Sequence, residues 1–218
     1  MKFRLLGYIT GAIVAGFIVY MFIGNSKLFC GGDKDGDFTR SELAVLAEAD
    51  SIMRVLTIED PSDLAVLRAT SCDFSHEALL SDEFARLSEL MVATVTHPSQ
   101  DGVGIAGPQV GLNRRVVAVQ RFDKEGEPFE FFINPEIVER VGEKADGGEG
   151  CLSVPELYGN VSRWQQIVLR YRDEKFVEHT ERIEGFTAVI FQHEVDHLAG
   201  RLFIDYLSAE AVEESIEE

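Results

Sequence analysis

The stretch "GFTAVIFQHEVDHLAG", Gly185 to Gly200, constrains this chain more than any other, because it sets His193 and His197 four positions apart with Glu194 beside the first. On an α-helix that spacing places both imidazoles on one face, about one turn apart. Both can then reach a single cation, with Glu194 beside a water on that cation. Phe186, Ile190, His193 and His197 form one stripe at offsets of four, three and four, and Val189 adjoins it, so an apolar wall runs into the proposed metal. A greasy side chain could lie there. The competing reading is a buried helix whose histidines bind nothing.

Two histidines leave a catalytic metal in need of a third protein ligand and an open position for solvent. In one large peptidase group the pattern continues as H-E-x-x-H-x-x-G-x-x-H. This chain follows it through Gly200 and then has Phe203 where the last histidine would stand. The acidic tail offers Glu213 and Glu217 but has few apolar residues with which to dock, and Cys151 upstream is the better candidate.

Composition narrows the partners. A chain of 218 residues with 45% hydrophobic content can bury a real core. Its formal charge of -18 repels nucleic acid phosphates, so no nucleic acid partner is expected. Three cysteines, Cys30, Cys72 and Cys151, are too few and too scattered for a disulfide framework, and within one chain at least one stays unpaired.

Three regions follow along the chain. Residues 1–28 contain "LLGYITGAIVAGFIVYMFI", Leu5 to Ile23, 19 residues without a charge. As a helix at ~1.5 Å per residue this run spans about 28 Å, close to a hydrocarbon core of ~30 Å. It predicts a single membrane anchor, with a cleaved signal peptide as the competing reading. Lys2 and Arg4 before the span, against Lys27 and then acidic residues after it, place the rest of the chain on the non-cytoplasmic side. Residues 29–51 read as a linker and a short helix. Asp33, Asp35 and Asp37 imitate a calcium loop, but Phe38 and Ala44 stand where its glycine and bidentate glutamate belong. Thr39 and Glu42 form a capping-box pattern that starts the helix through "ELAVLAEA".

Residues 52–218 read as the compact domain with an acidic tail. Ser81 precedes "DEFARLSELMVATV", in which Phe84, Leu87, Met91 and Val95 share one helical face. Segments 115–122, 130–140 and 166–173 carry β-branched and aromatic runs between turn-prone stretches, so strands intervene before the histidine helix. The fold class is α+β, with mixed strands around a C-terminal metal-binding helix.

"DGVGIAGPQVG" at 101 to 111 and "GGEGCLSVP" around Cys151 precede "QHEVDH", and together these three segments resemble the peptide deformylase family. Its motifs read G-x-G-x-A-[AG]-x-Q, E-G-C-L-S and Q-H-E-x-D-H. The likeness runs from about Met53 to Leu207, with "MRVLTIEDP" near its start and "RLFIDYLS" near its end. The resemblance implies a metal-dependent hydrolase that removes the formyl group from N-formylmethionyl peptides. It implies Cys151, His193 and His197 as ligands of one divalent ion, Fe²⁺ or Zn²⁺, and Glu194 as the acid-base. The side-chain amide of Gln109 and the backbone N–H of Leu152 would stabilise the developing oxyanion. The main chain at Val103 and Gly104 would hold the peptide, while Val103, Phe186, Val189 and Ile190 would line the pocket for its methionine. Glu149 and Arg163 look like the family's ion pair bracing a loop that carries the cysteine. Gly107 and Tyr158 depart from the pattern, standing where alanine and arginine are common. The alternative function is a membrane-anchored zinc endopeptidase of the HExxH type.

Overall fold

Residues 37–207 are described by a computed structural model. The capping box reads out as expected: the Thr39 hydroxyl accepts from the Glu42 N–H, the Glu42 carboxylate accepts from the Thr39 N–H, and α1 runs Arg40–Glu48. Two short helices follow, α2 at Pro61–Leu67 and α3 at His76–Leu79, and then α4 at Asp82–Val95 with Ser81 as its N-cap. Five strands come next: β1 (Gly104–Ala106), β2 (Val116–Gln120), β3 (Phe129–Cys151), β4 (Val154–Arg172) and β5 (Glu178–Glu184). The last long helix, α5, is Gly185–Leu198, the stretch that carries both histidines.

All neighbouring strands pair antiparallel, in the order β1-β2-β3-β4-β5. Successive side chains on a strand point to opposite faces, and β2 shows why this sheet has a helix on each side. Val116 and Ala118 pack with Phe84, Leu87, Met91 and Val95 of α4, whereas Val117 and Val119 pack with Ala188, Ile190 and Phe191 of α5. The sheet therefore fixes α5 against one face while α4 closes the other, which gives the α+β architecture expected from the sequence.

Helix α1 belongs to this packing. Leu46 joins the α4 core, and Glu42 forms an ion pair with the fully buried Arg114 at 2.8 Å. A second Arg114 nitrogen donates to the Asp37 carbonyl, so the chain from 37 onward is anchored to the strand region.

The membrane reading is corrected. The apolar run Leu5 to Ile23 lies outside the described residues, and among the described residues no helix is long and apolar enough to cross a membrane. Helices α4 and α5 have 14 residues each, which at ~1.5 Å per residue reach about 21 Å, well short of a ~30 Å core. The transmembrane helix, the membrane partner and the non-cytoplasmic location are therefore not assigned to this protein. Asp33, Asp35 and the tail from residue 208, with Glu213 and Glu217, also lie outside the described residues.

Candidate metal and peptide site

Cys151 is not on a loop, as the resemblance implied, but is the last residue of β3. Strands β3 and β4 form one long hairpin whose tight turn is Leu152 and Ser153, with Cys151 opposite Val154. The segment that begins the family likeness ties this turn to the glycine-rich segment. Leu56 N–H donates to the Gln109 carbonyl at 2.8 Å, and Ile58 N–H donates to the Ser153 carbonyl at 2.9 Å. One extended run of backbone thus sets Gln109 and the cysteine turn side by side.

Helix α5 is docked on β4 by Gln192. Its side chain accepts from the Trp164 N–H at 3.1 Å and donates to the Trp164 carbonyl at 2.7 Å, as a neighbouring strand would. One residue earlier, Arg163 joins three segments. It bonds both oxygens of Glu149 on β3, at 2.7 and 3.0 Å, and Asp196 on α5 at 2.5 Å. Glu149 in turn holds His193 Nδ1 at 2.8 Å, which leaves His193 Nε2 to face the centre. Glu149 is 7% exposed; burial would raise its pKa, but His193 and Arg163 bring it down to about 2, so it stays ionised.

Cys151, His193 and His197 offer ligand atoms that all lie within 4.8 Å of one another. Cys151 Sγ is 3.3 Å from His197 Nε2, and Gln109 Nε2 donates to the same sulfur at 3.6 Å. The other end of the Gln109 side chain accepts from the Ala106 N–H at 2.8 Å, which holds its NH₂ group toward the sulfur. Burial lowers the His197 pKa well below its ordinary value, which keeps that ring neutral, the form that binds a metal. A thiolate and two imidazoles fit a borderline-soft divalent ion. Cys151 is the free cysteine among the described residues.

Glu194 is 3% exposed, and its Oε2 has no partner. Burial pushes this carboxyl up to about 7, a value suited to taking up and releasing a proton near neutral pH. Gly104 makes room for it. A Cβ on that glycine would lie 2.5 Å from Glu194 Oε1 and 2.8 Å from Ile190 Cγ2. Gly107 is just as tight, since a Cβ there would meet the Arg114 carbonyl at 2.6 Å; the departure from alanine matches the local backbone.

A cleft of about 430 Å³ brings nearly all the expected residues together: Val103, Gly104, Gln109, Cys151, Leu152, Phe186, Val189, Ile190, His193 and Glu194. His197 sits behind them, buried at 1% exposure. Phe186 is 55% exposed at the mouth, with its ring 5.2 Å from that of Phe122. A larger groove of about 880 Å³, between α4 and the sheet, contains none of these residues.

The sequence did not reveal every supporting group. Glu149 stood out as a partner of Arg163 but not as the partner of His193. Asp196, the aspartate inside "QHEVDH", was not singled out for Arg163, although its place in the motif is the signal that could have found it. Phe203 has a definite place as well. It is 1% exposed, with its ring nearly parallel to that of His193 at 6.2 Å, so it supports the histidine from behind where the peptidase pattern would have a ligand. The endopeptidase alternative is accordingly set aside.

Comparison with known proteins points to one family. A family model described as Polypeptide deformylase matches residues 52–213. A peptide deformylase of Leptospira biflexa is 37% identical over 166 residues, covering 73% of this chain and 89% of the relative. The crystal structure of a peptide deformylase from Synechococcus elongatus in complex with actinonin has a TM-score of 0.68 at 30% identity, covering 78% of this chain and 88% of that one. A Met-Ala-Ser-bound class I type b peptide deformylase from Acinetobacter baumannii gives 0.63 at 33% identity, covering 72% and 98%. The motifs, the cleft and these likenesses lead to one assignment: the chain belongs to the polypeptide deformylase family.

Proposed function

We propose that Cys151, His193 and His197 hold one divalent ion, Fe²⁺ or Zn²⁺, and that Glu194 moves the proton in the reaction of this family. The chain is a metal-dependent hydrolase that removes the formyl group from formylated peptides. When bound, the ion supplies Lewis acidity and makes water nucleophilic near neutral pH. Water adds to the formyl carbon, the carbon–nitrogen bond breaks, and the products are formate and a free amine.

The residues of the chain divide the remaining work. Glu194 takes the proton of the attacking water and delivers it to the leaving nitrogen. Gln109 Nε2 and the Leu152 N–H donate to the carbonyl oxygen as it gains negative charge. Val103, Phe186, Val189 and Ile190 enclose the methionine side chain, and the main chain at Val103 and Gly104 runs alongside the extended peptide. Glu149 fixes the His193 ring, and such partners typically change metal affinity by ~10- to 100-fold. The substrate is an N-formylmethionyl peptide, in keeping with the peptide-bound relative.

The convergence of three ligand atoms within 4.8 Å, in a cleft that also holds the unpartnered Glu194 carboxylate, is the observation that carries this reading. Incubating the full chain with formyl-Met-Ala and with a longer unformylated peptide tests it. Formate from the first and an intact second are expected, whereas internal cleavage of the second would point to a peptidase.

A further inference from the structure

Cys72 is disulfide-bonded, whereas Cys151 is free. The sequence holds three cysteines, so within one chain the remaining sulfur is that of Cys30, which lies outside the described residues. Cys72 belongs neither to the metal group nor to the cleft.

The main chain fixes Cys72 on both sides. Its N–H donates to the Asn113 carbonyl at 2.9 Å, and its carbonyl accepts from the Arg115 N–H at 2.8 Å, a parallel bridge alongside Arg114. The chain from residue 37 enters the fold against this same segment. Ser75 Oγ donates to Asp37 Oδ1 at 3.0 Å, the Phe38 and Phe74 rings are 5.0 Å apart, and Arg114 bonds the Asp37 carbonyl. Asp37 is therefore held beside Ser75, three positions past Cys72, and Cys30 precedes Asp37 by seven positions. Seven residues can reach about 23 Å, and three residues about 10 Å, at ~3.3 Å per residue, so a link between the two cysteines has slack. A cysteine tethered so near is at an effective concentration on the order of millimolar, which favours it over a sulfur from a second chain.

We propose that Cys72 is bonded to Cys30 of the same chain, a covalent staple that fastens the segment before α1 to the catalytic domain and responds to thiol redox conditions. The bond forms by exchange with an external disulfide such as oxidised glutathione. One protein thiolate attacks a glutathione sulfur and releases the first glutathione thiol, and the second thiolate then attacks the mixed disulfide and releases the other. The two protein thiols lose their protons to the two glutathione thiols, so atoms and electrons balance, and an excess of reduced thiol runs the exchange backwards. Closure encloses α1 and α2 in a covalent loop, which restricts the unfolded chain, and reduction removes that restriction. Cys151 takes no part, because its sulfur lies in the metal group, 3.3 Å from His197 Nε2.

The test equilibrates the full chain with oxidised glutathione, then unfolds it with a chelator present, alkylates it without reduction and digests it with trypsin. Mass spectrometry should find LFCGGDK, with Cys30, joined to ATSCDFSHEALLSDEFAR, with Cys72, and the Cys151 peptide separate from both. Alkylated Cys30 and Cys72, glutathione on Cys72, or a Cys72 bond between two chains would each overturn the proposal. Thermal melts measure what the staple does. Reduction should lower the midpoint by about 5–15 °C, and Cys30→Ser and Cys72→Ser variants should both melt near the reduced value with or without reductant. A parent midpoint that does not move on reduction, or variants that still respond to reductant, would refute the staple.

Discussion

Gly104 and Glu194 are so close that a Cβ on the glycine would sit 2.5 Å from the glutamate Oε1. The glycine-rich motif thus has a role in positioning the buried carboxylate, separate from any contact its main chain makes with substrate. Replacing Gly104 by alanine must displace Glu194 or Ile190. Overpacking of this kind typically costs about 1–3 kcal/mol, and a displaced acid-base group should lower kcat by ~100-fold or more. Formate release and a thermal melt on the same variant measure both. Near-normal kcat would show that Glu194 tolerates the displacement.

Arg163 joins Glu149 on β3 to Asp196 on α5 and is itself 5% exposed. Arg163→Met leaves both carboxylates without their shared cation, and breaking a buried pair in this way usually costs about 3–5 kcal/mol. Urea unfolding measures the loss. A change within about 0.5 kcal/mol, the range of surface substitutions, would mean that the three segments are held together by other contacts.

Helix α1 should contribute to stability through Glu42, whose ion pair with Arg114 is buried on both sides. Replacing Glu42 by leucine would leave Arg114 buried without its carboxylate partner. The variant is expected to lose about 3–5 kcal/mol relative to the parent. Guanidinium unfolding of the two proteins checks this, and equal midpoints would contradict it.

Two carboxyls away from the metal group give a pH dependence with a definite sign. The Arg54 hydrogen bond holds Asp63 below its ordinary 3.8, and the Arg121 hydrogen bond does the same for Asp123. A group with a depressed folded pKa contributes stability that is fully present above the unfolded value, near ~4, and is lost as pH falls through the folded value. Their contribution is therefore level from neutral pH down to about 5 and declines below about 4. Chemical denaturation at stepped pH should show a shallower acid decline for Asp63→Asn than for the parent, and identical slopes would refute the assignment.

Local features were the legible ones. The capping box at Thr39 and Glu42, the Ser81 cap and the Phe84, Leu87, Met91, Val95 face depend on neighbours within one or two turns, and each appears as the spacing predicts. The histidine helix was legible for the same reason. Long-range relations were not. The Glu42–Arg114 pair spans 72 positions, and the Glu149–His193 contact spans 44. Neither partner carries a local sign of the other. The family likeness implied a loop around Cys151, yet Gly147, Gly148 and Gly150 lie inside β3, paired with Val161, Asn160 and Tyr158; glycine weakens strands, so the segment itself gave no sign of a strand. An apolar run alone suggested a membrane span, and the described helices supply none.

Metal analysis of Cys151→Ala beside the parent, both prepared without oxygen, tests the central claim most directly. The parent should carry about one divalent ion per chain and release formate from formyl-Met-Ala. The variant should lose both, since two imidazoles alone leave the donor set short of a catalytic site. A variant that keeps a full equivalent of metal would show that the thiol of β3 is not a ligand, and would contradict the account of the site.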